Sequence, residues 1–184
     1  GYAEPEGMLF NIQGPCSGAG APHVDATRFR GMGLDNTPIW LMNTMVKSGL
    51  FKRWQARKAQ VVTWYYRGSV GGGFVYWPEG PHAQPRVLEA PMWGRAAVVE
   101  NEMMFHTAQT NGPAAMRKPA GLALNSVMEA DPDVPGAWRI STDGTVIQQI
   151  PEQEFRFLVH WGANVYMDLE ELKVTRDHTD DLSH

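Results

Sequence analysis

The chain lacks most of what announces a membrane, secreted or nucleic-acid-binding protein. One cysteine, Cys16, stands among 184 residues, so no internal disulfide can form and a reducing compartment fits. No apolar run approaches the ~18 residues of a spanning helix, and no leader-like segment opens the chain. The expectation is a cytoplasmic protein with no membrane partner. Positive charge is not in excess, because 16 Lys and Arg against 20 Asp and Glu leave a net charge of -4. With no basic field and no block of like charge, nucleic acid is disfavoured as a partner. Phosphate-binding glycine motifs are missing too: Gly71-Gly72-Gly73 runs into Phe74-Val75-Tyr76-Trp77, the pattern of a bulge or close backbone approach. Ser48-Gly49 has no nucleophile-elbow framing, and Cys16 has no basic neighbour in sequence, so neither serine nor thiol hydrolysis is supported. Internal repeats and low-complexity tracts are absent.

What is present is one domain's worth of chain, residues 1–184, able to bury a single core. Hydrophobic residues make up 43% and charged residues 20%, while 7 Trp, 10 Met and 19 Gly suggest aromatic surfaces and many turns, as in an all-β architecture. Residues 8–13 read as a short strand stopped by Gly14-Pro15, and the small residues 17–21 as a loop. Asp35-Asn36-Thr37-Pro38 starts a helix carried by Ile39, Leu41, Met42, Met45, Val46 and Leu50 and interrupted near Ser48-Gly49, with a second helical piece over 50–58. Residues 60–66 are strongly β-prone. Further strands are expected near 74–77, 94–100, 103–107 and 117–125, with 85–91 irregular. A hairpin over 138–150 turns at Asp143-Gly144, a last strand covers 155–167, and a short helix over 168–172 precedes an acidic, frayed end. Many short strands with one helical insert point to a mainly β jelly roll or related sandwich.

The stretch with chemistry in it is Pro22-His23-Val24-Asp25. In an extended strand, residues two apart share a face, so the His23 imidazole and the Asp25 carboxylate can reach one point while Val24 faces away. A second histidine from far along the chain would complete two imidazoles and one carboxylate, the facial arrangement that leaves positions open and suits non-haem Fe(II). His106, in the strand-like Met103-Met104-Phe105-His106-Thr107, is the candidate. A core or interface histidine is the plain alternative.

The order His23-x-Asp25, His106, then Arg117 eleven residues on resembles the Fe(II)- and 2-oxoglutarate-dependent oxygenases. Trp64-Tyr65-Tyr66 followed by 71–76 is similar to that family's mid-barrel strand pair, and the run 94–106 to its approach to the distal histidine. The resemblance covers about 8–126. It implies a double-stranded β-helix, cupin-like, with a helical insert and a C-terminal extension from about 135 that covers the pocket or mediates contacts. It further implies Fe(II) on His23, Asp25 and His106, with 2-oxoglutarate and O2 as cosubstrates and Arg117 on the far carboxylate, where a guanidinium can form two parallel hydrogen bonds. The expected reaction is hydroxylation of a C–H bond of a small organic substrate with release of succinate and CO2. Retention of Asp25 argues against the related halogenases, which lack the carboxylate. Where the family often has Ser or Thr two residues after the arginine, this chain has Pro119, so Thr107, Asn11, Gln13 or Tyr65 must supply any second hydrogen bond. The rivals are a metal-dependent cupin that does not use 2-oxoglutarate and a non-catalytic jelly-roll binding module.

Arg28 and Arg30 are candidates for an anionic group of the substrate, with surface salt pairing as the alternative. Trp64, Trp77 and Trp93 are candidate pocket walls, with core packing as the alternative. His82 and His160 read as structural or surface residues, and His178 and His184 as uninvolved tail residues.

Overall fold

The longest stretches with apolar side chains at alternate positions pair with one another and form the centre of the molecule. The computed structural model describes residues 1–18 and 20–182; Ala19 of the predicted loop and His184 lie outside them. Strand β1 (Tyr2–Gln13) pairs with β10 (Arg156–Tyr166), β10 with β2 (Lys58–Tyr66), and β2 with β5 (Arg95–Val99), giving an antiparallel sheet of order β1-β10-β2-β5. Burial along β2 alternates without exception, Lys58, Gln60, Val62, Trp64 and Tyr66 being inside, which is the period-two signature of a sheet with one face on a core.

A second antiparallel sheet runs β4-β3-β6, from β3 (Phe74–Trp77), β4 (Arg86–Leu88) and β6 (Phe105–Ala108). Its far edge is extended by the segment after β1, which bridges β6 at His23–His106 and continues at Cys16–Asn111. Val62, Trp64 and Tyr66 of the first sheet pack with Phe74 of the second and with Met92, so the two sheets enclose one apolar core between them. The architecture is mainly β, built of antiparallel sheets and consistent with a β-sandwich. A third sheet, β7 (Val127–Ala130), β8 (Ala137–Thr142) and β9 (Thr145–Pro151), is inserted between β6 and β10.

Helix α1 (Ile39–Ser48) ends at Gly49, whose φ of +67° suits a glycine C-cap, and it buries Met42 and Met45 against Phe29. Helix α2 (Leu169–Arg176) is capped by Asp168, which accepts from the Glu171 N–H. No helix among the described residues is long and apolar enough to cross a membrane.

Four local expectations are corrected. The second helical piece over 50–58 reduces to one 3-10 turn, Lys52–Trp54, because Lys58 already belongs to β2. The stretch 85–91 holds the short strand β4. No strand forms over 117–125; a 3-10 turn at Ala114–Met116 leads into turns, and β7 begins only at Val127. Residues from 135 onward are not an appendage to a core at 8–126, because β10 lies between β1 and β2 and is bonded to both.

Candidate metal centre

His23 and Asp25 sit on the edge segment of the second sheet, held by backbone pairing. His23 and His106 exchange both N–H to carbonyl bonds, at 3.0 and 2.9 Å, and the Asp25 N–H donates to the Asn101 carbonyl at 2.9 Å. The Thr27 hydroxyl adds a bond to the Glu102 carbonyl. Direct pairing of the two histidines puts their rings side by side, 4.7 Å between centroids. One ligand atom each from His23, Asp25 and His106 lies within 4.8 Å of the others, with Asp25 Oδ1 3.5 Å from His106 Nε2 and 3.9 Å from His23 Nε2.

The ring orientations are those of metal ligands. Nδ1 of His23 lies 3.1 Å from the Ala21 carbonyl and Nδ1 of His106 3.0 Å from the Met104 carbonyl. Each carbonyl takes the Nδ1 proton and leaves the Nε2 lone pair facing the shared point, the outer arrangement that fixes a ligating tautomer. Donors about 2.1 Å from a metal and at right angles to one another stand about 3 Å apart, so separations of 3.5 and 3.9 Å to Asp25, and of no more than 4.8 Å within the triad, call for the donors to draw together around an ion. The donor set and its geometry therefore fit a divalent transition metal with open positions.

The charges respond to one another. Before any cation binds, burial drives the Asp25 carboxyl upward, but the hydrogen bond and field of a protonated His106, with the fields of His160 and His23, outweigh it and leave its pKa lowered; a cation at the shared point would take the place of the His106 Nε2 proton. Burial depresses His106, and the Asp25 carboxylate with the Met104 carbonyl more than reverses this, so its pKa is raised. Asp25 is thus held as the anion that a cation needs.

Of the other sequence candidates, Arg117 does not lie on a strand. It closes the 3-10 turn, its Nε donating to the Gly112 carbonyl at 3.0 Å. Arg28 pairs with Glu6 at 2.5 Å, and Arg30 pairs with Asp180 and donates to the Arg53 carbonyl, so the salt-pairing alternative describes both. Trp64 is 1% exposed and packs against Phe74 with ring centroids 5.3 Å apart, tilted by 41°; it is a core residue. Trp77 is half-buried at the end of β3, opposite Phe105. His178 pairs with Asp181, away from the triad.

Arg156, which the sequence did not single out, and His160, expected as a structural or surface residue, share the inner face of β10. His160 feels the fields of Asp25 and His106, and burial lowers its pKa. Arg156 is 4% exposed, and its Nε donates to the Gly72 carbonyl at 3.1 Å. No carboxylate lies within ion-pairing distance of it among the described residues. Burial therefore pulls its pKa down, against the weaker fields of Cys16 and Tyr66. Arg117 shares this neighbourhood, since both guanidinium groups act on the Tyr66 hydroxyl. Their face is set by register and not by a local pattern: Arg156, Leu158 and His160 lie opposite Tyr66, Trp64 and Val62, the inward residues of β2.

Compared with protein-family models, with curated proteins and with solved structures, the chain matches none of them.

Proposed function

We propose that the chain is a non-haem Fe(II)- and 2-oxoglutarate-dependent dioxygenase of the double-stranded β-helix type, hydroxylating a C–H bond of a small organic substrate with formation of succinate and CO2. Carrying this reading is the convergence of His23, Asp25 and His106 with both Nε2 atoms and a carboxylate oxygen turned to one point. The strand orders support the fold assignment. Sheet β1-β10-β2-β5 faces the His23 segment, β6, β3 and β4 in that order, the arrangement a chain makes when it winds up and down between two four-stranded sheets.

The anion-binding role moves from Arg117 to Arg156. A buried guanidinium with no carboxylate beside it is costly unless an anion joins it, and a dicarboxylate cosubstrate brings one. Arg156 and His160 are four residues apart on one face of β10, which places the cationic end roughly 13 Å along the strand from the triad's neighbourhood. Gln13 is directly opposite Arg156 in the β1–β10 register and so shares its face, within reach to supply the second hydrogen bond that Pro119 cannot. Tyr65 points to the other face, and the Thr107 hydroxyl is bonded to the Gly20 carbonyl. Arg117, acting on the same phenol, adds positive charge to the pocket floor.

When bound, the iron and cosubstrate supply O2 activation and the oxidation of the C–H bond. The chain's own residues do the rest. His23 and His106 offer neutral imidazole nitrogens, and Asp25 offsets one unit of the metal's charge. Arg156 fixes the far carboxylate by charge-assisted hydrogen bonds and so orients the 2-oxo end toward the triad. Val62, Trp64 and Phe74 keep water from the barrel interior. No side chain has to act as a general base.

The test is succinate release from 2-oxoglutarate with Fe(II), ascorbate and O2, with and without a panel of small organic substrates. The expected result is uncoupled succinate formation that disappears in His106→Ala and falls sharply in Arg156→Ala. Metal binding without any succinate would favour a cupin enzyme that does not use 2-oxoglutarate. Unchanged metal affinity in His106→Ala would leave a binding module.

A further inference from the structure

Away from the triad, on the outer face of the central sheet, is a cavity of about 740 Å³, within the range of small-molecule sites. Tyr65 and Phe157 line it from β2 and β10. By strand alternation they face opposite to Tyr66 and Arg156, so the sheet itself separates this cavity from the barrel interior. Trp93 continues the same wall, its ring 5.6 Å from Tyr65 in an edge-to-face contact, while Tyr65 and Phe157 lie 5.8 Å apart. The other wall comes from the inserted sheet, where Trp138 of β8 packs on Phe155 at 5.2 Å.

Two charged groups share this aromatic slot. The Arg67 guanidinium lies 3.9 Å above the Trp93 ring, and no carboxylate pairs with it among the described residues. Glu152 also lines the cavity and makes no ion pair with Arg67. A cavity lined by Tyr65, Trp93, Trp138, Phe155 and Phe157 favours a ligand with an aromatic ring of its own. A guanidinium already held over one of those rings offers its donors to a carboxylate on such a ligand. A carboxylate elsewhere on the lining favours a hydroxyl or N–H donor on the same ligand and disfavours a second anionic group.

We propose that this cavity is a second binding site, separate from the metal centre, for a planar aromatic monoanion that carries a hydrogen-bond donor on its ring. The inserted sheet β7-β8-β9 then has a defined part: it brings Trp138 over the central sheet and turns an exposed aromatic surface into a slot.

The test is calorimetric titration of the whole chain with 6-hydroxy-2-naphthoate, with 2-naphthol as the uncharged analogue and cyclohexanecarboxylate as the non-aromatic one. Saturable one-to-one binding of the naphthoate is expected, with no measurable binding of cyclohexanecarboxylate. Arg67→Ala should weaken the naphthoate about tenfold or more while changing 2-naphthol by about twofold at most. Trp138→Ala should weaken both, Trp138→Phe should restore much of the loss, and His106→Ala should leave both affinities as they are. Four results would each overturn the proposal: no saturable binding, equal binding of cyclohexanecarboxylate, indifference to Arg67→Ala, or loss of binding in His106→Ala, which would place the probe at the metal. None of them bears on succinate formation, so this proposal and the oxygenase reading fail separately.

Discussion

At the scale of single residues, the side chains that matter are the ionisable groups carried into the interior. Arg156 is the clearest, because it is buried with no carboxylate within ion-pairing distance among the described residues, a setting that favours an incoming anion. Arg156→Ala is expected to raise KM for 2-oxoglutarate about a hundredfold, and Arg117→Ala only severalfold, since Arg117 is less buried and already bonded to the Gly112 carbonyl; steady-state kinetics on both variants checks the ranking. Glu102 gives a second case. Its side chain is buried beside Lys58, 3.7 Å away, and burial pushes its pKa up to about 7 despite that cation. A carboxyl whose folded pKa exceeds its unfolded value binds its proton more tightly in the folded state. Its contribution to stability is therefore full below the ordinary value of 4.5 and is lost as pH rises through about 7. Thermal melts should show Tm falling across that window, and Glu102→Gln, which cannot ionise, should flatten the slope.

At the scale of elements, the strand over 60–66 and the Asp143-Gly144 turn of the β8–β9 hairpin were legible, because β-propensity and turn chemistry are local properties. The register that joins distant strands was not. Arg156 was missed for that reason: nothing near it in the chain says that β10 inserts between β1 and β2, and only that placement turns the Arg156-x-Leu158-x-His160 face inward. Arg117 was preferred because its place eleven residues after His106 resembles the oxygenase pattern, but β6 ends at Ala108 and the 3-10 turn Ala114–Met116 replaces the strand that choice required. Gly72 couples these elements. Its φ is +76°, a Cβ there would strike the Tyr66 ring, and its carbonyl holds Arg156. Gly72→Ala is expected to cost about 2 kcal/mol of stability, from left-handed backbone strain and overpacking together. Urea denaturation measures that loss, and the same variant should bind 2-oxoglutarate more weakly.

At the scale of the whole molecule, sequence order and spatial order part company. The candidate metal ligands come from residues 23–25 and 106, so a reading confined to about 8–126 contains the triad, which is why it was legible as a spaced motif. The sheet behind it is closed by residues 156–166. A chain cut at residue 126 keeps all three candidate metal ligands but leaves β1 without its partner and one edge of β2 unpaired. Such a truncation is expected to show no cooperative thermal transition by circular dichroism; a cooperative melt near that of the full chain would show that β10 is dispensable.

The central proposal is that His23 and Asp25, joined by His106 from far along the chain, make one metal site. Anaerobic calorimetric titration of Fe(II) into the intact protein and into His106→Ala tests it most directly. The account predicts one equivalent bound by the intact chain, with affinity at least about a hundredfold weaker in the variant. Equal affinity in the two proteins, or no saturable binding by the intact chain, would contradict it.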